Sequence, residues 1–148
     1  MFSIQIKFHF FIMASLILLL SGCSMAGHHK VEDLHQLALG SSPARTYQAS
    51  AEEVKQAALY SMKQTGLENI TEHQMGYATW TITGEIGYSW ASNGQFIRIS
   101  ARVDNDTKPQ VTEVFYNSLK RFDVNVTEDL TVIREKLLNI MDSFIESQ

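Results

Sequence analysis

The sequence has one cysteine, Cys23, among its 148 residues, so no disulfide can form within the chain. A disulfide-stapled scaffold is therefore excluded, and packing alone has to hold the fold. Basic residues are also scarce, since 12 lysines and arginines stand against 16 acidic residues and no segment concentrates them. Because binding to a phosphate backbone depends on clustered positive charge, we expect no nucleic-acid partner.

Motifs of common enzyme classes are likewise missing from the sequence. It contains no glycine-rich phosphate loop and no paired metal-ligand motif. The segment Gly87 to Ala91 (GYSWA) approaches the nucleophile motif G-x-S-x-G, but Ala91 replaces the final glycine. No histidine and acid complete a triad with Ser89. We therefore expect no catalytic residue and no cofactor.

One long apolar run is present, Phe10 to Leu20, and it lies near the amino end. It is shorter than the roughly 20 residues that a membrane-spanning helix needs. One basic residue precedes it and the small residues Ser21 and Gly22 follow, which is the layout of a secretory signal. An uncleaved membrane anchor is the alternative interpretation of this run.

The run Leu20 to Cys23 (LSGC) resembles the lipobox of bacterial lipoproteins. That resemblance implies that the sulfur of Cys23 receives a diacylglycerol, that residues 1–22 are removed, and that the new amino terminus is acylated. More than one acyl chain gives stable membrane attachment. Ser24 is not the aspartate that resembles an inner-membrane retention signal in enteric lipoproteins, so the expected location is the outer membrane, facing the periplasm.

Removing 22 of 148 residues leaves 126, which is within the range of a single domain. We interpret residues 23–43 as a lipidated tether that ends in the loop-like sequence GSSP. Apolar residues at helical spacing between Val31 and Ala38 permit a short helix there. Residues 44–148 are predicted to form one α+β periplasmic domain.

The domain pattern predicts a helix, an antiparallel meander and a second helix. Ser50 and Glu53 match a capping box at the start of the first helix, and Gly66 suits its left-handed end. Alternating residues then predict strands at 77–83, 96–103 and 110–116, with an edge strand at 45–49 and the register of 110–116 left open. Thr127 is expected to cap the last helix, whose apolar stripe is Leu130, Ile133, Leu137, Met141 and Phe144.

This order predicts an α+β fold in which a three- to four-stranded antiparallel meander carries two amphipathic helices on one face. The opposite face is expected to remain solvated. Arg98 and Arg102 project from that face and could bind a carboxylate or phosphate of a partner, or could simply be solvated. Tyr88 and Trp90, in a turn bounded by glycines, are a second candidate partner-binding site. Alternatively, Trp90 folds back over the core.

His28, Glu32 and His35 in the tether would share one face if that segment were helical, and they offer ligands suited to zinc or copper. The alternative is a solvated spacer whose histidines bind nothing. We expect no metal site here, because nothing would hold the ligands still.

From the lipobox, the helix at 51–65, the segment at 75–80 and the final helix, the chain resembles small uncharacterised bacterial lipoproteins. It is also distantly similar to the helix-grip domains of BamC, a lipoprotein of the outer-membrane protein assembly machine. The resemblance supplies no catalytic residue. We therefore expect a non-enzymatic envelope binding or adaptor module, attached to the membrane by lipid and contacting another envelope protein or glycan. The alternative is an envelope enzyme, or a carrier of a small ligand or metal, without a recognisable motif.

Overall fold

The computed structural model describes residues 28–76, 78–87, 94–104, 110–122 and 130–148. Cys23, the Tyr88 and Trp90 pair, and Thr127 lie outside these residues. The elements in chain order are α1 (Val31–Gln36), β1 (Arg45–Tyr47), α2 (Ala51–Gln64), β2 (Glu68–His73), β3 (Trp80–Ile86), β4 (Gln95–Asp104), β5 (Val111–Lys120) and α3 (Leu130–Glu146). Across the ranges given above, no helix has the length and hydropathy to cross a membrane.

The strands form one five-stranded sheet in the order β1-β5-β4-β3-β2, and every neighbouring pair is antiparallel. Strands β3, β4 and β5 correspond to the strands predicted at 77–83, 96–103 and 110–116, and β1 is the predicted edge strand, which pairs with β5. β2 is the strand that the pattern did not predict. The α+β class is confirmed, although the sheet has one strand more than the three or four expected. β1 is held to α3 because the Tyr47 hydroxyl donates to Asp142 Oδ1 at 2.7 Å. Burial and this contact raise the pKa of Tyr47.

The register of β5, which the sequence left open, is set by β4. The ladder runs from the pair Gln95 and Lys120 to the pair Asp104 and Val111. The strand predicted at 110–116 extends further than expected, because residues 117–120 continue it and pair with β4. Both Val114 and Phe115 are buried, on opposite faces of the sheet. Apolar residues therefore face both ways, which is why their alternation did not identify one inner face.

Helix α2 begins and ends where the sequence predicts. The Ser50 hydroxyl accepts from the Glu53 amide at 3.2 Å, and the Ser50 amide donates to Glu53 Oε2 at 2.8 Å, which completes the capping box. Gly66 has a φ of 77°, the left-handed conformation that ends the helix without steric cost.

Helices α2 and α3 pack side by side on one face of the sheet, as predicted. Trp80 anchors the sheet to α2, because its indole nitrogen donates to the Ala51 carbonyl at 2.8 Å. Phe144, expected in the apolar stripe of α3, is only partly buried at the edge of the core. The core between the helices and the sheet contains Val54, Ala57, Ala58, Met62, Ile82, Ile97, Ile99, Ala101, Val114, Ile133, Leu137, Leu138 and Met141.

The prediction that the opposite face is solvated is wrong. Residues 28–38, which we call the strap, cross this face, and α1 within the strap contacts β4 and β5. Within α1, the side chain of Leu34 is 0% exposed. The polar side chains of the face are buried as well: Thr81, Thr83, Arg98 and Ser100. The interpretation of residues 23–43 as a tether is corrected for residues 28–38, since the strap belongs to the folded domain.

Candidate functional site

The strap and the sheet face beneath it contain most of the described candidate residues. α1 begins where the Lys30 amide donates to Asp33 Oδ2 at 2.8 Å, which satisfies a free donor at the helix start. The chain leaves the helical conformation at Leu37, where ψ is 133°. Since α1 has six residues, its own hydrogen bonds contribute little, and contact with the sheet has to hold it in place.

Arg98 supplies much of that contact. One guanidinium nitrogen, Nη1, donates to the carbonyl oxygen of Leu34 at 2.7 Å. The other, Nη2, donates to the carbonyl of Leu37 at 2.7 Å and to Asn117 Oδ1 at 2.8 Å. These carbonyls belong to the end of α1, where backbone acceptors lack helical partners and the helix dipole is negative. The charge of Arg98 is therefore buried but solvated by backbone oxygens.

Arg98 is accordingly not on the surface, and the prediction that it binds a partner there is corrected. Its side chain is 0% exposed and fastens the strap to the sheet. An open face would leave this arginine accessible, whereas the strap covers β4 at this point. Arg98 acts as a structural clamp for the strap.

Arg102 lies on the same side of β4 but beyond the strap. Its side chain is 56% exposed and donates twice to Glu113 Oε2, from Nε at 2.9 Å and from Nη2 at 2.7 Å. The guanidinium carbon also lies 5.3 Å from the ring centroid of Phe115. Arg102 therefore remains accessible, although a partner carboxylate would have to compete with Glu113.

A hydroxyl and imidazole network lies between the strap and the β2 edge of the sheet. His73 Nε2 is 2.8 Å from Thr83 Oγ1 and 3.0 Å from Thr71 Oγ1. The His35 ring of the strap meets the His73 ring edge-on, with centroids 4.5 Å apart. Burial, followed by the charges of His73 and Arg98, lowers the pKa of His35, and Glu32 opposes this in part. The neutral form of His35 is thus favoured in the folded protein.

The strap histidines do not converge on a metal site. His28 packs against Phe122, with ring centroids 5.1 Å apart, whereas His35 faces His73. Over the described ranges, no group of three His, Cys, Asp or Glu side chains could hold a metal ion. His28, Glu32 and His35 are therefore not brought together as ligands in the described structure.

Tyr88 and Trp90 lie outside the described residues, so their role stays a prediction. The described residues on either side are Gly87 and Gly94, next to the ends of β3 and β4. Gly94 has a φ of 71°, and its carbonyl accepts from the Arg121 amide at 3.1 Å.

A further concave surface lies between α2 and α3, where the sequence predicted nothing. It has a volume of about 550 Å³ and is lined by Tyr60, Gln64, Ile140, Ser143, Phe144 and Ser147. Tyr60 is 43% exposed, and its ring centroid is 5.1 Å from that of Phe144. Tyr60 falls off the apolar stripe of α2, and an exposed aromatic off the stripe is the signal that could have identified this cleft.

Comparisons with known proteins do not identify a function for these residues. No protein-family model matches the chain, and no curated protein matches it in sequence. Among solved structures, it is similar to the adenylate sensor from AMP-activated protein kinase in complex with ZMP, with a TM-score of 0.44 and 13% identity. The match covers 73% of this chain and 99% of that chain. A similarity of this degree assigns no function to the site.

Proposed function

We propose that this protein is a bacterial lipoprotein, anchored in the outer membrane through Cys23, whose domain is a non-enzymatic binding or adaptor module in the periplasm. The observation that carries the proposal is the sequence LSGC at residues 20–23, directly after the apolar stretch of a secretory signal. The partner is the membrane together with another envelope protein or glycan, and no nucleic acid is involved.

The position of the strap is compatible with a lipid anchor at Cys23. His28 already pairs with Phe122 as an isolated antiparallel bridge, so the chain joins the sheet five positions after Cys23. Removal of residues 1–22 would leave every element of the described fold intact.

Support for a non-enzymatic role comes from what the charged side chains do. Arg98 clamps the strap, Arg102 pairs with Glu113, and Arg121 pairs with Glu85. These groups are engaged in contacts that hold strands and strap together. An active site would instead bring ionisable groups together in a cleft, and none of the described residues that line the cleft between α2 and α3 is a His, Asp, Glu, Lys or Arg.

That cleft favours one alternative, a carrier of a small ligand. Its volume of about 550 Å³ falls within the usual range of ligand sites. Replacing Ser143 with Trp would fill the cleft from its exposed side. A ligand that raises the melting temperature of the parent but not of Ser143→Trp would favour the carrier over the adaptor.

The lipid anchor is tested by replacing Cys23 with Ser in cells fed an alkyne analogue of palmitate. We expect Cys23→Ser to remain unprocessed and unlabelled, because serine provides no sulfur for the thioether. Ser24→Ala, one position later, is the matched control and should be processed and labelled like the parent. Normal labelling of Cys23→Ser would contradict the proposal.

The adaptor role is tested by a photo-crosslinking amino acid at position 102, the accessible arginine of the strap face. The control position is Lys136, which is exposed on α3. A discrete adduct with an envelope protein from position 102, absent from position 136, is expected. Identical adduct patterns from both positions would argue against a specific surface at Arg102.

A further inference from the structure

We infer that the folded domain lies directly on the lipid surface, with one particular end of its sheet toward the bilayer. This inference rests on the proposed lipidation of Cys23 and concerns the orientation that follows from it. The near end consists of residues 28–30, 94–95 and 120–122. The far end consists of residues 104 and 110–111, at the opposite ends of β4 and β5.

The chain enters the fold at the near end. The His29 amide donates to the Arg121 carbonyl at 2.9 Å, and His28 forms a β-bridge with Phe122. Arg121 in turn donates from its amide to Gly94, which joins this entry point to the start of β4. The strap is therefore attached to the sheet from its first described residue.

The link between the lipid and the sheet is short. Cys23 is five positions from His28, and a fully extended chain of that length spans at most about 18 Å. The headgroup layer takes up roughly 5 to 8 Å of this distance. The near end is therefore held within about 13 Å of the headgroup surface, a limit somewhat beyond the Debye length of about 8 Å at physiological ionic strength.

A long tether would behave differently. If the chain were free as far as Pro43, its root-mean-square length would be about 25 Å, and the domain would turn in any direction. The strap prevents this because Leu34 is fully buried and Arg98 donates to the carbonyls of Leu34 and Leu37. Lengthening the link would require these contacts to break.

The chemistry of the near end is compatible with phospholipid headgroups. Lys30 is exposed and Lys120 is half-buried, and lysines near a membrane surface are attracted to anionic lipid. Arg121 is paired with Glu85, so its charge is offset. Exposed acids such as Glu32 and Glu68 lie at or next to this end, so charge adds little. The short link, rather than charge, determines the orientation.

The two ends of the sheet are far enough apart to be distinguished. β4 has ten residues, Gln95 to Asp104, and antiparallel strands rise about 3.4 Å per residue, which separates the ends by about 30 Å. Gln110 is exposed at the far end and Lys120 lies at the near end. Because Cys23 is the one cysteine of the chain and its sulfur would be in a thioether, a new cysteine provides a unique thiol for labelling.

The experiment uses the full lipidated chain, purified from cells and reconstituted in vesicles of phosphatidylethanolamine and phosphatidylglycerol. Lys30→Cys and Lys120→Cys place a fluorophore at the near end, and Gln110→Cys places it at the far end. Energy transfer to an acceptor on the lipid headgroups should be several-fold more efficient from positions 30 and 120 than from 110. Two near-end variants are used so that one that folds poorly can be replaced by the other.

The intact mass of each protein shows whether Cys23 is lipidated. This distinguishes a failure of the proposed lipid anchor from a failure of the proposed orientation. A chain without lipid on Cys23 would contradict the proposed function itself. A lipidated chain with equal transfer from both ends, or with more from position 110, would overturn the orientation alone.

A spacer variant tests whether the short link between Cys23 and the sheet causes the orientation. Insertion of about 15 glycine and serine residues after Gly27 lets the domain tumble, so the difference between near and far labels should largely disappear. A difference that survives the insertion unchanged would overturn the claim that the short link sets the orientation.

Discussion

Arg98 donates a hydrogen bond from Nη1 to the backbone carbonyl oxygen of Leu34 at 2.7 Å, across 64 positions of the sequence. Both side chains are fully buried. Leu34 covers the sheet face that contains Arg98, and Arg98 satisfies the carbonyls that α1 leaves free. The strap and the buried arginine therefore depend on each other.

Replacing Arg98 with Met should lower the free energy of unfolding by about 3 kcal/mol. The methionine keeps much of the volume, but the buried carbonyl of Leu34 and the partly buried carbonyl of Leu37 lose their donor. Urea denaturation measures the change. Arg102→Met, four residues along the same strand, is the control and should cost at most about 1 kcal/mol because its ion pair with Glu113 is exposed. Equal losses from the two variants would show that Arg98 is not a clamp.

Leu34→Ala should destabilise the domain by about 2 to 5 kcal/mol, the usual cost of truncating a buried leucine. The matched control is Leu37→Ala, since Leu37 is 37% exposed and surface substitutions change stability by about 0.5 kcal/mol or less. Limited proteolysis should also cleave the strap faster in Leu34→Ala. Unchanged cleavage in a destabilised Leu34→Ala would mean that the strap does not detach.

Stability should fall as the pH drops below about 6.5, the unperturbed pKa of histidine. Burial and the nearby charges of His73 and Arg98 lower the folded-state pKa of His35, so the unfolded chain binds the proton more readily. The contribution of His35 is therefore present above pH 6.5 and is lost as the pH falls through the lowered folded-state pKa. Unfolding curves between pH 5 and 7.5 measure it, and His35→Gln should show a shallower slope. A parent slope identical to that of His35→Gln would contradict this.

Replacing Tyr88 and Trp90 together with Ala should leave the melting temperature nearly unchanged and weaken contact with envelope components. The expectation follows from two amphipathic aromatic residues in a turn bounded by glycines. Photo-crosslinking from residues 88–93 in cells, analysed by mass spectrometry, measures the contact. A large loss of stability would instead place the rings in the core, and adducts with lipid would assign the segment to the bilayer.

Local sequence patterns predicted the elements whose causes are local. The cap formed by Ser50 and Glu53, the left-handed Gly66, and the pairing of β3 with β4 were all anticipated from spacing and alternation. Each depends on residues that are close in sequence or joined by one turn. The helices on the core side followed from apolar stripes.

The sequence did not predict that the sheet face opposite α2 and α3 is buried, because the strap that covers this face is short and the buried residues of the face are polar. α1 has six residues with one buried side chain, Leu34, and that pattern was interpreted as a tether. Polar alternation is typical of an exposed face, so the positions of Thr81, Thr83 and Ser100 favour solvent exposure, whereas all three are buried. Asn117, which accepts from Arg98, had no signal in the sequence.

By itself the sequence determined the order from α2 through the strands β3, β4 and β5 to α3, the side of β4 that faces the core, and the capping of α2. It also predicts the lipid on Cys23, which remains to be tested. Tertiary structure alone decided that the arginine face is closed and that the strap belongs to the domain. The physical reason is that Arg98 binds mainly backbone carbonyls of residues about 60 positions away, and a carbonyl oxygen is the same in every residue.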